Sequence, residues 1–76
     1  MREREYPKHL AGLRARRKAA GLTQKEVSEA LDVNRSSVAN WELGYAWPGA
    51  WVLPRLADLL LCSIDDLYTA PEGGDN

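Results

Sequence analysis

Apolar residues recur every three to four positions along most of this 76-residue chain, which is the period of an α-helix with one buried face. No segment alternates apolar and polar residues for long enough to indicate a β-strand. Glycine, proline and small polar residues divide the chain into five such segments. The pattern therefore predicts a compact all-α domain of five short helices, held by packing because isolated helices of this length are marginal.

Two of the helix ends are predicted from residues that stop or start a helix. Helix one is expected from about Lys8 to Ala20, where a run of good helix formers ends at Gly21, a common C-terminal stop. Helix four is expected to begin near residues 51–53, because Pro54 has no backbone N–H to donate inside a helix.

The starts of helices two, three and five share one arrangement, in which a polar cap is flanked by apolar residues placed to staple across it. The predicted caps are Thr23, Asn34 and Ser63. Glu26 and Asp66 stand three residues after two of these caps and predict capping boxes. Helix two is therefore expected over about 24–31, and helix three from the Asn34 cap to about Leu43.

Helices two and three are joined by a turn of only a few residues, which describes a helix-turn-helix whose second helix can enter the DNA major groove. The same geometry also arises as mere packing. At about 100° per residue, Val38 and Trp41 share one side of helix three, and Arg35, Ser36 and Asn40 lie on the other. Arg can pair with guanine and Asn with adenine through two hydrogen bonds each, so either could specify a base.

Contacts to phosphate are indicated by Gln24 and by the distribution of charge. Gln24 opens helix two, where its side chain and the helix-end amides can meet a phosphate. The net charge is only −1, but residues 1–22 hold seven Lys or Arg against two acids, whereas residues 23–76 hold three against nine. This asymmetry fits one face that meets an anion, and it also fits a solvated basic helix.

The stretch "GLTQKEVSEALDVNRSSVANWELG" resembles the helix-turn-helix core of the phage lambda repressor-like (XRE) family, and the similarity continues through "WPGAWVLPRLADLLLCSIDDL". It covers about residues 10–68. The resemblance implies a five-helix DNA-binding domain. Such domains usually act as homodimers on palindromic operators, in repressors, other transcriptional regulators or antitoxins.

The resemblance also implies roles for individual residues. Gln24 matches a phosphate contact, and Arg35, Ser36 and Asn40 match base-reading positions on helix three. Arg17 and Glu42 match a partly buried ion pair between helix one and the end of helix three, where two solvated charges would otherwise be expected. Further phosphate or positioning contacts are expected from Lys25, Ser37, Arg14, Tyr45 and Trp47.

The chain departs from the family pattern at two helix ends and in one loop. Asp32 replaces the usual turn glycine. Leu61 stands where glycine normally ends helix four, which predicts either a longer helix or a strained turn. The loop "LGYAWPG" lacks the Lys or Arg with which many relatives hold phosphate. Tyr45 and Trp47 could still donate a hydrogen bond there, without the electrostatic attraction.

A homodimer is expected from the resemblance, because relatives often dimerise through helix five and the segments near it. Trp47 and Trp51 lie around the start of helix four, and aromatic residues are enriched at protein interfaces. Contact with a partner and simple loop packing both fit these two residues. The expected dimer contacts are Trp51, Asp65, Leu67 and Tyr68.

The chemistry of the chain argues against an enzyme. It has one His and one Cys, with no clustered metal ligands and no glycine-rich phosphate loop, so no metal or cofactor is expected.

No apolar run is long enough to cross a membrane, and the first residues lack the apolar core of a secretory signal. A cytoplasmic protein without a small-molecule ligand is expected. Its predicted parts are a basic arm (1–7), the DNA-binding domain (8–69) and a flexible tail (70–76).

Two functions remain open at this point. The first is a sequence-specific transcriptional regulator, expected to be a repressor, that binds double-stranded DNA as a homodimer. The second is an antitoxin or accessory module whose helix-turn-helix mainly binds a protein partner. The near-neutral charge and the aromatic loop favour the second, whereas the basic first helix and the small polar face of helix three favour the first.

Overall fold

The computed structural model describes residues 9–70, and all the regular structure in this range is helical. The helices in chain order are α1 (Leu13–Ala19), α2 (Gln24–Leu31), α3 (Arg35–Leu43), α4 (Val52–Leu59) and α5 (Ile64–Tyr68). The predicted five-helix, all-α fold is therefore confirmed. The predicted basic arm lies outside the described residues, as does the predicted tail except for Ala70.

Two of the three predicted caps form as expected. The Glu26 backbone N–H donates to Thr23 Oγ1 at 3.0 Å, and the Thr23 N–H donates to Glu26 Oε1 at 2.8 Å. Ser63 and Asp66 exchange the equivalent bonds at the start of α5, both at 3.1 Å. The third prediction is wrong in its chemistry: Asn34 is the N-cap residue of α3, but its side chain accepts no capping hydrogen bond.

The first helix begins later than predicted, at Leu13. Residues 9–12 form a tight turn instead, in which the Leu13 N–H donates to the Leu10 carbonyl at 3.1 Å, and the predicted start at Lys8 lies outside the described residues. The Gly12 N–H donates to the carbonyl of Leu67 at 2.9 Å, so the backbone that would have continued the helix is bonded to α5. A tertiary contact thus overrides the local helix propensity.

One apolar core joins all five helices. Its buried residues are Leu10, Leu13, Val27, Leu31, Val38, Trp41, Val52, Leu56, Ala57, Leu60 and Leu67. Helix α2 packs against α3 and α4, and α1 packs against α3 and α5. Within residues 9–70 no helix has the length and apolarity that a membrane span requires. This part of the chain also has no group of three or more His, Cys, Asp or Glu arranged to hold a metal ion.

Two non-glycine residues in the range 9–70 adopt the left-handed backbone conformation, and both follow a helix. Asp32, with φ of 61°, caps α2 in a conformation that Asp tolerates. Leu61 has φ of 58° and is 88% exposed. Helix α4 ends at Leu59, so of the two alternatives for Leu61 the strained turn is the one observed.

Candidate nucleic-acid interface

The turn at Asp32 lays α3 across α2 so that one side of α3 joins the core. Val38 and Trp41 are buried on that side. Arg35, Ser36 and Asn40 are all exposed on the other. The structure therefore brings the three predicted base-reading residues together on one accessible helix face, which also holds the half-buried Ala39 and is bordered by the half-buried Ser37.

An open cleft adjoins this face at the start of α2. It has a volume of about 420 Å³ and is lined by Arg17, Thr23, Gln24, Lys25 and Arg35. Two exposed cations, Lys25 and Arg35, thus border a space beside the first turn of a helix, where backbone N–H groups favour anions. The cleft brings the predicted phosphate contacts Gln24 and Lys25 next to the first base-reading residue.

Glu42 is held by a network that the resemblance predicts only in part. Its carboxylate accepts a hydrogen bond from Arg17 Nε at 2.6 Å and one from Arg17 Nη2 at 3.2 Å. Gln24 Nε2 donates to the same carboxylate at 3.1 Å. Arg17 Nη1 in turn donates to the carbonyl of Leu22 at 2.9 Å. The ion pair joins α1 to the end of α3, and the bonds to Leu22 and from Gln24 add the α1–α2 turn and α2 to the same network.

The bond to Glu42 changes what Gln24 can do. A side-chain amide has two N–H groups, of which one donates to Glu42 and the other is left for a further acceptor. Because Glu42 is held by Arg17, the orientation of the Gln24 amide depends on the ion pair. The predicted phosphate contact is thus compatible with the observed geometry and depends on the pair.

Sequence reasoning missed a role for His9. Its Nε2 lies 3.0 Å from the backbone oxygen of Glu42, and because a carbonyl only accepts, the imidazole donates this bond. The ring also covers Gly44, where an added Cβ would lie 3.2 Å from His9 Cδ2. His9 and Glu42 are 33 positions apart, and no local pattern in the sequence indicates the contact.

A second cleft, of about 300 Å³, lies between α1, α2 and α3. Its lining residues are Arg14, Arg17, Gln24, Ala39, Glu42 and Leu43. Arg14, a predicted phosphate contact, is exposed at its edge. Leu43 is 62% exposed and was not predicted to contribute to the site. Its helical phase, about 80° from Arg35 and on the outward side, is a signal that could have found it.

The aromatic loop after α3 stands beside the interface without lining either cleft. The backbone N–H of Tyr45 donates to the Asn40 carbonyl at 3.0 Å, which fixes the loop against the end of α3. The Tyr45 side chain is 76% exposed, and that of Trp47 is also largely exposed. Their predicted contacts with phosphate therefore stay predictions.

One predicted dimer contact is wrong. Leu67 has 0% relative exposure because it fills the core under α1, so its side chain cannot reach a partner in this fold. Asp65 is exposed and Tyr68 is half-buried. Trp51 is exposed at the start of α4, and the guanidinium carbon of Arg55 lies 5.8 Å from the centre of its ring.

The single cysteine, Cys62, is half-buried. Burial raises the pKa of the Cys62 thiol, and the nearby charge of Asp66 raises it further, against a smaller lowering by Arg16. The protonated thiol is therefore favoured, and only the thiolate is strongly nucleophilic. Cys62 lies half-buried against the core, where it contributes to packing.

Comparison with known proteins shows similarity to helix-turn-helix proteins. Residues 13–67 match the model of a helix-turn-helix family, a range that spans nearly all of the five helices. The crystal structure of a transcriptional regulator from Listeria innocua is similar, with a TM-score of 0.67 and 30% sequence identity over 90% of this chain. The present chain covers 65% of that regulator. A search of curated proteins found no significant match. The family match covers well over half of the sequence, and the chain belongs to the helix-turn-helix family of the XRE type.

Proposed function

We propose that this protein is a DNA-binding transcriptional regulator that reads the major groove with α3. The observation that carries the proposal is the exposed, small and polar face of α3, which holds Arg35, Ser36 and Asn40 beside a cleft lined by Gln24 and Lys25. Small residues let a helix approach the floor of a groove closely, while Arg and Asn match the base edges found there. The regulator from Listeria innocua supports the same class of function.

The proposed division of roles follows from the chemistry of each group. The Arg35 guanidinium suits guanine O6 and N7, and the Asn40 amide suits adenine N6 and N7. Ser36 can contact several base edges through its hydroxyl group. Gln24, Lys25, Ser37 and Arg14 would position the domain on phosphates without reading sequence.

More specifically, we propose a homodimer that binds a palindromic operator and acts as a repressor in the cytoplasm. Two copies of α3 would then bind half-sites about one helical turn apart. Exposed Trp51 and Asp65 and half-buried Tyr68 are the proposed contacts. Sedimentation with and without operator DNA tests the dimer, and a strict monomer under both conditions would exclude it.

Selection from a random DNA library, followed by affinity measurements at several salt concentrations, tests the function itself. We expect enrichment of a palindrome and an affinity that falls with salt. Arg35→Ala should cost about 1–3 kcal/mol of binding free energy and relax specificity at one base pair. Arg55→Ala is the matched control, because Arg55 is equally a surface arginine but lies on α4. Equal effects of the two substitutions would contradict the proposed role of α3.

The second candidate is an antitoxin or accessory module that binds mainly a protein partner. The observation in its favour is the set of exposed aromatic side chains after α3, at Tyr45, Trp47 and Trp51. A selection that enriches no DNA sequence would favour this candidate. Membership of a helix-turn-helix family supports the prediction that the chain is not an enzyme.

A further inference from the structure

The outward face of α3 carries one large apolar side chain that the proposed base contacts do not use. Leu43 is the last residue of α3 and is largely exposed, whereas Val38 and Trp41 of the same helix are buried. With Arg35 at 0°, Leu43 falls near 80°, about midway between Ala39 near 40° and Asn40 near 140°. Leu43 therefore projects from the middle of the face proposed to enter the groove.

The side chain of Leu43 is expected to lean toward the N-terminus of α3, where Arg35 and Ser36 lie. Long side chains on a helix lean toward its N-terminus and cover the preceding turn. Leu43 thus continues the surface of Ala39, one turn earlier, and the two form an apolar strip along α3. The strip is one side of the cleft of about 300 Å³, whose polar side includes Arg14 of α1 and Gln24 of α2.

The two sides of this cleft suit two parts of one nucleotide. Arg14 and Gln24 offer N–H donors that match a phosphate. Leu43 and Ala39 offer only C–H surface, and they would leave the polar edge of a purine or cytosine without a hydrogen bond, which is unfavourable. The C5-methyl group of thymine is the apolar group that B-DNA displays in the major groove.

We propose that Leu43 is a specificity-determining residue that contacts the C5-methyl group of a thymine in the bound sequence. The inference rests on the proposed DNA-binding function and extends it, since it requires thymine at a position that no hydrogen bond from Arg35 or Asn40 specifies. Ala39 completes the apolar surface against which the methyl group packs.

Deoxyuridine substitution tests the contact, because deoxyuridine lacks the C5-methyl group and keeps the base-pairing edge and the backbone of thymidine. Each thymine of the selected duplex is replaced in turn, and the affinity of the unaltered protein is measured. Replacement of the contacted thymine in one half-site should weaken binding by about fourfold, the effect of one methyl group withdrawn from an apolar contact. The same replacement should have no effect on the affinity of Leu43→Ala.

Leu61→Ala is the matched control, because Leu61 is the other strongly exposed leucine in residues 9–70 and lies in the α4–α5 turn. Its sensitivity to deoxyuridine should equal that of the unaltered protein. Leu43→Ala should melt at the temperature of the unaltered protein, because the side chain is exposed.

Three outcomes would overturn the inference. The first is a bound duplex in which no thymine is sensitive to replacement. The second is a Leu43→Ala protein that keeps the full sensitivity, even if its affinity is lower, because the side chain would then contact the sugar–phosphate backbone. The third is a selection that enriches no duplex. That result defeats the proposed function itself and is recognised before any base is replaced.

Discussion

Glu42 bonds to three other segments of the domain at once. Its carboxylate accepts from Arg17 of α1 and Gln24 of α2, and its backbone carbonyl accepts from His9. The side chains of Arg17 and Glu42 retain only 11% and 5% of their exposure. A charge with so little contact with water is tolerated only while its partner is present, so each side chain depends on the other.

We predict that Arg17→Ala lowers the free energy of unfolding by about 3 kcal/mol, because the Glu42 carboxylate is left buried without its counter-charge. The DNA affinity should fall as well, since Gln24 loses the partner that orients its amide. Thermal melting and operator binding measure the two effects.

Arg16→Ala is the control for this prediction. Arg16 pairs with Asp66 at 3.4 Å, but both side chains are 39% exposed, so the loss should stay below about 1 kcal/mol. Melting temperatures for Arg17→Ala and Arg16→Ala that fall equally would show that burial of the Arg17 pair adds nothing.

The carboxylate of Asp66 predicts a pH dependence. The hydrogen bond from the Ser63 backbone N–H is the largest cause that lowers the pKa of Asp66, followed by the bond with the Ser63 side chain and the charge of Arg16. A carboxyl group whose pKa is lowered by folding stabilises the folded state above its unfolded pKa, about 3.9, and loses this contribution as pH falls through the lowered value.

Asp66→Asn should therefore be less stable than the unaltered protein at neutral pH, and the difference should shrink as the pH falls below about 3.9. Thermal melting over a pH series measures the gap. Asp65→Asn removes a carboxylate from the same turn without removing the cap, and it should show a smaller gap at neutral pH. A gap for Asp66→Asn that does not change with pH would exclude the charged cap as its cause.

Among the elements, α1 and α5 meet at a contact that only glycine permits. A Cβ at Gly12 would lie 2.2 Å from the Asp66 carbonyl oxygen and 2.5 Å from that of Thr69. Both neighbours are backbone atoms, which cannot rotate away as a side chain can. The position of α5 against the start of α1 therefore depends on the missing side chain.

Gly12→Ala should lower the free energy of unfolding by more than about 2 kcal/mol, because α5 must move to admit the methyl group. Urea denaturation measures the loss. Gly21→Ala, at the other end of α1, is the control: its φ is +76°, but no atom lies within 4 Å of an added Cβ. Only the backbone strain of about 1 kcal/mol should appear there. A Gly12→Ala protein as stable as Gly21→Ala would contradict the close contact.

At the scale of the whole molecule, the exposed cations that residues 9–70 place near α3 belong to α1, α2 and the first turn of α3. Arg14, Lys25 and Arg35 are exposed there, whereas the loop that follows α3 is aromatic and neutral. The electrostatic part of DNA affinity depends on how many phosphates meet a cation. The neutral loop should therefore contribute little to the salt dependence of DNA binding.

Tyr45→Lys should raise DNA affinity at low salt and make the slope of log affinity against log salt steeper by about 0.9 for each bound copy of the protein, the effect of one added phosphate contact. Binding isotherms at four or more salt concentrations measure the slope. Leu61→Lys adds the same charge at an exposed position in the α4–α5 turn and should leave the slope nearly unchanged. If both substitutions steepen it equally, the loop is not the part that faces DNA.

Local rules predicted the elements well, because their causes lie within a few residues. The boxes at Thr23 and Ser63 join positions three apart, and the turn at Asp32, where the family usually has glycine, needs only one residue that tolerates a left-handed backbone. The same rules failed at Asn34, whose side chain makes no capping bond, and at the start of α1, where Gly12 bonds to Leu67 instead.

The sequence by itself determined the five helices, two of the three predicted side-chain caps, and which face of α3 carries the polar residues. Periodicity and capping act over only one or two helical turns. The resemblance predicted the ion pair of Arg17 and Glu42, but only the tertiary structure brought His9 and Gln24 to Glu42, buried Leu67 and placed Leu43 and Arg14 in one cleft. The contacts of Gln24 and His9 with Glu42 join residues 18 and 33 positions apart, so they depend on how the helices pack, which is a property of the whole core.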